Sequence, residues 1–458
     1  MSISPDIFRA YDIRGVVTTT LTPDVVKQVG QAFGSECQDR GITKAVVARD
    51  GRLSGPDLIE ALSAGIQSAG VDVIDIGMVP TPVLYFATYH LETGTGIMVT
   101  GSHNPPEYNG LKMVIDGDAL FGDGITALYT RLQEGRLTTG AGGKSSEDIL
   151  GDYLDRVLGD IKLERQMSIA YDCGNGVAGA AAPQLFDGLG CKTESLFTTV
   201  DGNFPNHHPD PAKLENLEDL IKVVKDNKLE LGLAFDGDGD RVGVVDDQGN
   251  VIWPDRQMVL YAADVLSRNP GASIIYDVKC SKVLPQAISD AGGKPDMWKT
   301  GHSFIKARIK ETGALLGGEM SGHIFFKERW YGFDDALYSA ARLLEILSKT
   351  DRPASEIFGE IPNSINTPEL NVTLDRDGAQ HEFIENFVSK ASFEGAKLTT
   401  IDGVRADYPD GWGLVRASNT TPSLVIRFEA DTDEAMKRIQ NEFRSTMQAT
   451  DSSIKIPF

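Results

Sequence analysis

The sequence predicts an α/β protein. Three homologous mixed or parallel-sheet α/β domains are followed by a smaller α+β C-terminal domain, all packed around one central cleft. Three observations carry this reading. The chain has 458 residues, more than the ~250–300 at which single cores stop growing. A strand–aspartate–helix–glycine–strand unit occurs three times. The last stretch of about 90 residues abandons that pattern.

The first unit is Lys44-Ala-Val-Val-Ala-Arg-Asp50, a helix to Gly70 and a strand from Val71 to Ile76. The second is Ser168-Ile-Ala-Tyr-Asp172 with a helix to Gly190, and the third is Ser273-Ile-Ile-Tyr-Asp277 with a helix to Gly293. Strand–helix–strand units of this size make parallel sheets with right-handed crossovers. In the final region Leu424–Ala430 reads as a strand, and Thr432 caps a helix running to about Gln448, with Asp433 and Glu434 in its first turn. The domains are expected at 1–148, 149–250, 251–363 and 364–458. No low-complexity linker separates them, so they are expected to share a cleft.

Composition excludes several classes. A formal charge of −22 opposes binding to nucleic acid or anionic membrane, both of which need clustered Lys and Arg. No run approaches the ~18 apolar residues of a membrane span, and Met1–Asp6 lacks the pattern of a secretory signal. Cys37, Cys173, Cys191 and Cys280 stand singly, which fits a reducing, cytoplasmic setting rather than a disulfide or zinc framework. If the substrate is anionic, its cleft must be basic against the global charge.

Four segments carry chemistry. In Val99-Thr-Gly-Ser-His-Asn-Pro-Pro-Glu-Tyr-Asn-Gly110 an apolar strand runs into a polar loop that leaves Ser102 at a strand end, where open α/β sheets bind ligands. A surface turn is the bland alternative. In Phe235-Asp-Gly-Asp-Gly-Asp-Arg241, Asp236, Asp238 and Asp240 are spaced by glycines between two apolar strands. Three carboxylates so close repel unless a cation sits among them, and all-oxygen ligands suit Mg²⁺ or Ca²⁺. An EF-hand is excluded, because Arg241 stands where that loop needs glycine. Third, Lys299-Thr-Gly-His302 and Gly317-Gly-Glu-Met-Ser-Gly-His323 offer two histidines suited to proton transfer. Glu319, Ser321 and His323 alternate, so an extended loop would face all three one way to grip sugar hydroxyls. Fourth, Val415-Arg-Ala-Ser-Asn-Thr-Thr421 is a candidate phosphate nest, or a hydrophilic loop without function.

In order and spacing these segments resemble the α-D-phosphohexomutase superfamily, most closely its bacterial phosphomannomutase/phosphoglucomutase branch. The resemblance runs from Phe8-Arg-Ala-Tyr-Asp-Ile-Arg-Gly15 to the Arg416 loop. It implies Ser102 as a phosphoserine flanked by His103, with Asp236, Asp238, Asp240 and a Ser102 phosphoryl oxygen holding Mg²⁺. Arg241 would lie beside the transferring group. Thr300, Gly301 and His302 would recognise the sugar, and Glu319 and Ser321 would bind its hydroxyls near His323. Arg416, Ser418, Asn419, Thr420 and Thr421 would grip the non-reacting phosphate, and Arg9, Tyr11, Arg14 and Lys279 would line the cleft. The implied reaction moves a phosphoryl group between the 1- and 6-positions of mannose or glucose phosphates through a hexose 1,6-bisphosphate, with glucose 1,6-bisphosphate as activator and either Lys112 or His323 passing the proton. Partners are then small hexose phosphates, and the chain a monomer. Met320 favours hexose over hexosamine. The rivals are a sugar-phosphate phosphatase, a phosphoglucosamine mutase and a catalytically silent sensor.

Overall fold

The structure is a computed structural model and describes residues 3–376, 378–419 and 421–458. Among the described residues the strands form four sheets in chain order. The first is mixed: Lys44–Arg49 lies between parallel neighbours Asp72–Met78 and Gly96–Val99, while Tyr108–Ile115 and Ile13–Val16 close one edge antiparallel. The second places Ser168–Asp172 between parallel Lys192–Leu196 and Leu231–Phe235, with Val242–Asp246 antiparallel beyond. The third repeats this arrangement. Ser273–Asp277 lies between parallel Lys294–Trp298 and Leu316–Gly318, with Ile324–Phe326 antiparallel beyond. The recurring aspartate-terminated strand is therefore central in each of the three sheets, a position that demands apolar side chains on both faces. Val46, Ile169 and Ile274 are each fully buried.

One crossover differs from the expected helix. After Asp172 the chain makes a 3-10 turn, Val177–Ala180, and only then the short helix Ala182–Gly188. A β-carbon on Gly179 would stand 2.0 Å from Thr198 O, so the chain passes too close to its neighbour for an ordinary helical start.

The fourth sheet is antiparallel throughout, from Ile365–Asn366 through Ser423–Ala430, Gly411–Ala417 and Val404–Tyr408 to Lys397–Thr399. The helix Asp433–Thr450 packs on it. Its Thr432 hydroxyl accepts the Ala435 N–H at 3.2 Å, as the sequence predicts. Phe387, Phe428 and Phe443 form a core separate from the one that runs continuously through the first three domains. Burying each such phenyl contributes roughly 1.5–3 kcal/mol, so this domain holds itself together. It meets the third domain through Trp412, which packs on Val278 under the Arg405 guanidinium, 3.9 Å from the ring centroid. No helix of the described residues is long and apolar enough to cross a membrane.

Candidate active site

The loop carrying Ser102 is wrapped around one buried cation. Arg52, 1% exposed, donates to the carbonyls of Ser102 (2.8 Å), Asn104 (2.6 Å), Pro105 (2.6 Å) and Tyr108 (2.9 Å). Asp50 completes the mount: it accepts the Thr100 hydroxyl at 2.8 Å and the Gly101 N–H at 3.2 Å. Thr100 Oγ1 in turn accepts the Ser102 N–H at 2.9 Å. Held this way, Ser102 sits at φ +47°, a left-handed conformation that non-glycine residues adopt at some expense.

The carboxylate loop is the hairpin between Leu231–Phe235 and Val242–Asp246. Asp236 Oδ1 accepts the N–H groups of Gly239, Asp240 and Arg241, each at 3.1 Å. Its other oxygen accepts the Ser102 hydroxyl at 3.0 Å. The two loops approach so closely that a β-carbon on Gly237 would stand 2.3 Å from Ser102 O, which is why glycine separates the first two aspartates. Asp238 is held from the first domain, where Thr81 donates its N–H to Asp238 O at 2.9 Å and its hydroxyl to Asp238 Oδ2 at 2.5 Å. Lys112 Nζ contacts Asp238 Oδ2 at 2.7 Å and also Asp240 Oδ2.

All three carboxylates are fully buried, and oxygens from the three lie within 4.8 Å of one another. Burial and the charges of Asp240 and Asp238 push the Asp236 carboxyl well above the usual carboxylate range. At Asp240 burial acts the same way, but Lys112 and His323 outweigh it and hold the carboxyl well below that range. Asp238 Oδ1 has no hydrogen-bond partner among the described residues. A cluster of hard oxygen donors in which a buried carboxylate oxygen, Asp238 Oδ1, is left over is a candidate metal site, and it fits a hard divalent cation.

Beside the triad lies His323. Its Nε2 is 3.3 Å from Asp240 Oδ1, and its Nδ1 is 3.1 Å from Glu319 Oε2 and 2.9 Å from Ser321 Oγ. Burial lowers its pKa, but Asp240 and Glu319 overcome this and raise it to about 9, so the ring is an imidazolium at neutral pH. Its segment is not the extended loop the alternation predicts. Glu319 N–H donates to His323 O and Gly322 N–H to Glu319 O, a tight turn in which Gly322 takes φ +99°. The three side chains converge because the backbone doubles back, not because they alternate. His103 is the contrasting case. Burial, with Arg241 and Arg14 nearby, lowers it well below the ordinary histidine value, leaving a neutral ring 3.2 Å from Ser102 Oγ.

On the far side of the opening, Asp277 accepts the Thr300 hydroxyl at 3.0 Å, and Glu319 Oε1 accepts the Gly301 N–H at 2.5 Å. Asp402 bridges two domains, accepting the Thr300 N–H and Arg416 Nε, each at 2.9 Å. Asn419 donates to Thr300 O at 3.3 Å. Lys279 Nζ lies 3.1 Å from Glu369 Oε2, and Arg416 Nη2 is buried without a hydrogen-bond partner among the described residues. Tyr11 stacks edge-on to His302 with ring centroids 5.0 Å apart.

These groups enclose a cavity of about 660 Å³. Ser102, His103, Lys112, Arg241, His323, Tyr11, Arg14, Lys279, Thr300, Gly301, His302, Glu319, Ser321, Arg416, Ser418 and Asn419 all line it, and the aspartate triad lies beneath its floor. Arg9 and Thr421 are not among the lining residues. The Arg9 N–H donates to Asp12 O, and the Thr421 hydroxyl turns to Ser418 and Ser423. Thr420 lies outside the described residues. Seven Lys and Arg against three acidic residues make this lining basic inside an acidic protein.

Four family models match the chain in order: phosphoglucomutase/phosphomannomutase alpha/beta/alpha domains I (residues 5–137), II (151–249) and III (253–365), then the C-terminal domain (369–446). The chain belongs to the phosphoglucomutase/phosphomannomutase family. Among relatives, a phosphomannomutase/phosphoglucomutase of Pseudomonas aeruginosa is 55% identical over 457 residues, covering 100% of this chain and 98% of its own. A phosphoglucomutase of Neisseria gonorrhoeae is 53% identical over 451 residues, covering 98% of each. A solved structure of a phosphoglucomutase/phosphomannomutase family protein from Burkholderia thailandensis superposes with a TM-score of 0.94 at 53% identity, covering 100% of both chains. Sequence reasoning missed several residues that mount this family's motifs here: Arg52, Thr81, Asp277, Asp402 and Glu369. For Asp277 a signal existed, since it ends one of the three repeated strands.

Proposed function

We propose that this chain is a reversible mutase that moves a phosphoryl group between the 1- and 6-positions of mannose and glucose phosphates, with Ser102 as the phosphoryl carrier. The observation that carries this reading is the Ser102 hydroxyl, 3.0 Å from Asp236 of a buried carboxylate triad, at the floor of a locally basic cavity. The activity in the printed names of the relatives agrees with it. In this reading Asp236, Asp238, Asp240 and an oxygen on Ser102 would hold Mg²⁺, and the bound ion would supply charge neutralisation for the phosphoryl group.

The chain's own residues do the rest. Phosphorylated Ser102 gives its phosphoryl group to the free hydroxyl of a hexose phosphate, forming the 1,6-bisphosphate and free serine. The bisphosphate turns over in the cavity, and its other phosphoryl group returns to Ser102. Arg241, beside Asp236, stabilises the equatorial oxygens. Lys112 and His323 are ordered at the two oxygens of Asp240, and one of these two side chains passes the proton to or from the sugar hydroxyl. His103 flanks the nucleophile, its Nδ1 3.2 Å from Ser102 Oγ. Arg416, whose Nη2 has no hydrogen-bond partner among the described residues, and Lys279 grip the non-reacting phosphate with Ser418 and Asn419. Glu319 and Ser321 take the sugar hydroxyls. Glucose 1,6-bisphosphate is the activator that phosphorylates a free Ser102. The same reading makes the protein a cytoplasmic monomer that binds no nucleic acid, with domains dividing after residues 148, 250 and 363.

Phosphorus NMR of the protein with Mg²⁺, a trace of glucose 1,6-bisphosphate and glucose 1-phosphate or mannose 1-phosphate tests it. Conversion to the 6-phosphate without inorganic phosphate is the expected result. Inorganic phosphate alone overturns it in favour of a phosphatase. Turnover of glucosamine phosphate alone favours the hexosamine enzyme, and no turnover of any sugar favours a silent sensor.

A further inference from the structure

The aspartates ending the three repeated strands are built alike. Asp50, Asp172 and Asp277 are each at most 1% exposed. In each, Oδ1 accepts the N–H two residues on: Arg52 at 2.9 Å, Gly174 at 2.8 Å and Lys279 at 3.2 Å. That is a local Asx turn, and it needs one oxygen only. The second oxygen reaches across the sheet. From Asp50 it holds Thr100 and Gly101, just after the neighbouring parallel strand Gly96–Val99. From Asp277 it holds Thr300, just after the neighbouring strand Lys294–Trp298. Oδ1 of Asp277 also lies 3.4 Å from the Met320 N–H, after the strand on the other side, Leu316–Gly318. From Asp172 it reaches His207 at 2.9 Å, which does not line the cavity.

We propose that Asp277 is a positioning residue that sets the distance between the phosphate grip and the sugar grip, repeating in the third domain what Asp50 does for the Ser102 loop in the first. The proposal rests on the mutase reading. A buried carboxylate is expensive unless its lone pairs are used, and here they take the Lys279 N–H and Cys280 thiol from the turn after the strand, the Met320 N–H and the Thr300 hydroxyl. Lys279 lies two residues after Asp277, Thr300 belongs to the sugar loop, and Met320 follows Glu319 in the turn that carries Ser321 and His323. A bisphosphate that must fit in either orientation needs the spacing of those grips held constant. The carboxylate is hydrogen-bonded to all three segments. Asp172 is the comparison, because it makes the same turn while its second oxygen holds His207, a side chain that does not itself line the cavity.

The isosteric amides separate these roles. In Asp50→Asn either orientation sets an NH₂ against an N–H donor, Arg52 on one side or Gly101 on the other. The expected result is a fall in kcat of about 100-fold, from misplacing the nucleophile, with glucose 6-phosphate affinity within about threefold of wild type. Asp277→Asn loosens the grips. Calorimetric affinity for glucose 6-phosphate falls about tenfold or more and KM rises in step, while kcat at saturation stays within about threefold. Thr300→Val, which removes only the tethered hydroxyl, moves affinity the same way and stands in if Asp277→Asn does not fold. Asp172→Asn lowers Tm while leaving both constants within about threefold. A common loss of kcat tracking Tm in all three amides overturns the proposal, as does wild-type affinity in both Asp277→Asn and Thr300→Val. Wild-type protein that binds glucose 6-phosphate without converting it removes the mutase reading, and the affinity comparison still decides the tether.

Discussion

Replacing Arg52 by Met keeps length and apolar stem but removes every donor. Four carbonyls lose charge-assisted hydrogen bonds of 2.6–2.9 Å, and Asp50 Oδ2 loses the Nε contact at 3.3 Å. Water cannot replace these donors freely, because the site is 1% exposed. Breaking a buried charged cluster from one side costs about 3–5 kcal/mol. The loop keeps its own turns, such as Asn104 N–H to Gly101 O and Tyr108 N–H to Pro105 O, so part of that loss falls on how the loop is seated rather than on the fold. Ser102 at φ +47° has an intrinsic incentive of about 1 kcal/mol to relax. If about 3 kcal/mol of seating energy is lost, the competent loop falls about 100-fold in population, at tenfold per 1.4 kcal/mol. kcat should fall by that factor, and KM should stay within about threefold because Lys279 and Arg416 do not touch this loop. The assay is steady-state turnover, with mass measurement of Ser102 phosphorylation after glucose 1,6-bisphosphate. A folded Arg52→Met protein with kcat within about threefold of wild type would refute the reasoning.

Three further outcomes follow from the same contacts. Asp236→Asn keeps an oxygen for the three backbone donors but turns an NH₂ toward the metal position, so Mn²⁺ affinity measured by calorimetry should drop at least about tenfold; unchanged affinity removes Asp236 from the ligand set. Glu369→Gln frees Lys279 from a half-exposed partner, so KM for glucose 1-phosphate should fall about two- to fivefold at low ionic strength, and an unchanged KM means that contact carries nothing. At Asp264, burial opposes ionisation, but hydrogen bonds from Arg268, Lys349 and Arg342 prevail and hold its pKa below the usual carboxylate value. Its stabilisation is therefore present above the unfolded value near 3.9 and lost as pH falls through the lower folded value. Wild-type Tm should fall more steeply than that of Asp264→Asn below about pH 4, with the variant about 2 kcal/mol less stable at pH 7; parallel curves argue against the linkage.

Much of this architecture is legible in the sequence because its signals are local. Alternating glycines and aspartates have few uses other than convergent oxygens, and a Thr before an acidic first turn predicts the cap seen on Asp433–Thr450. What is not legible is long-range. Nothing near Arg52 says that a loop 50 residues on will fold around it. Thr81 begins a helix, and only the docking of the first two domains turns its hydroxyl onto Asp238, 157 residues away. The segment Glu319–His323 shows the opposite failure. Period-two alternation is a strand signal, but Gly322 at φ +99° reverses the chain and reaches the same convergence by another route. Arg9 lies within a matching motif, yet its backbone closes a turn on Asp12 while Tyr11 and Arg14 face the cavity.

The charge problem posed by the composition is solved at short range. A protein of charge −22 repels a sugar phosphate only within about a Debye length, ~8 Å in physiological salt. Inside the cavity the balance reverses, but its cations are not bare. Lys112 is held by Asp238 and Asp240, Lys279 by Glu369, Arg416 by Asp402 and Arg14 by Asp12. Each of these four basic residues is thus ordered by a carboxylate before any phosphate arrives, which keeps long side chains from losing rotamer freedom at the moment of binding. The acids differ in what they do next. Asp402 and Asp238 are fixed by other donors and stay in place, whereas Glu369 has the half-exposed side chain and is the partner a phosphate can displace. The cavity therefore pairs one cation whose partner is itself fixed, Arg416, with one whose partner is half-exposed, Lys279. In the mutase reading a phosphate arriving between them displaces Glu369 from Lys279 while Arg416 keeps its place, so the two cations close on it without either having to be ordered first.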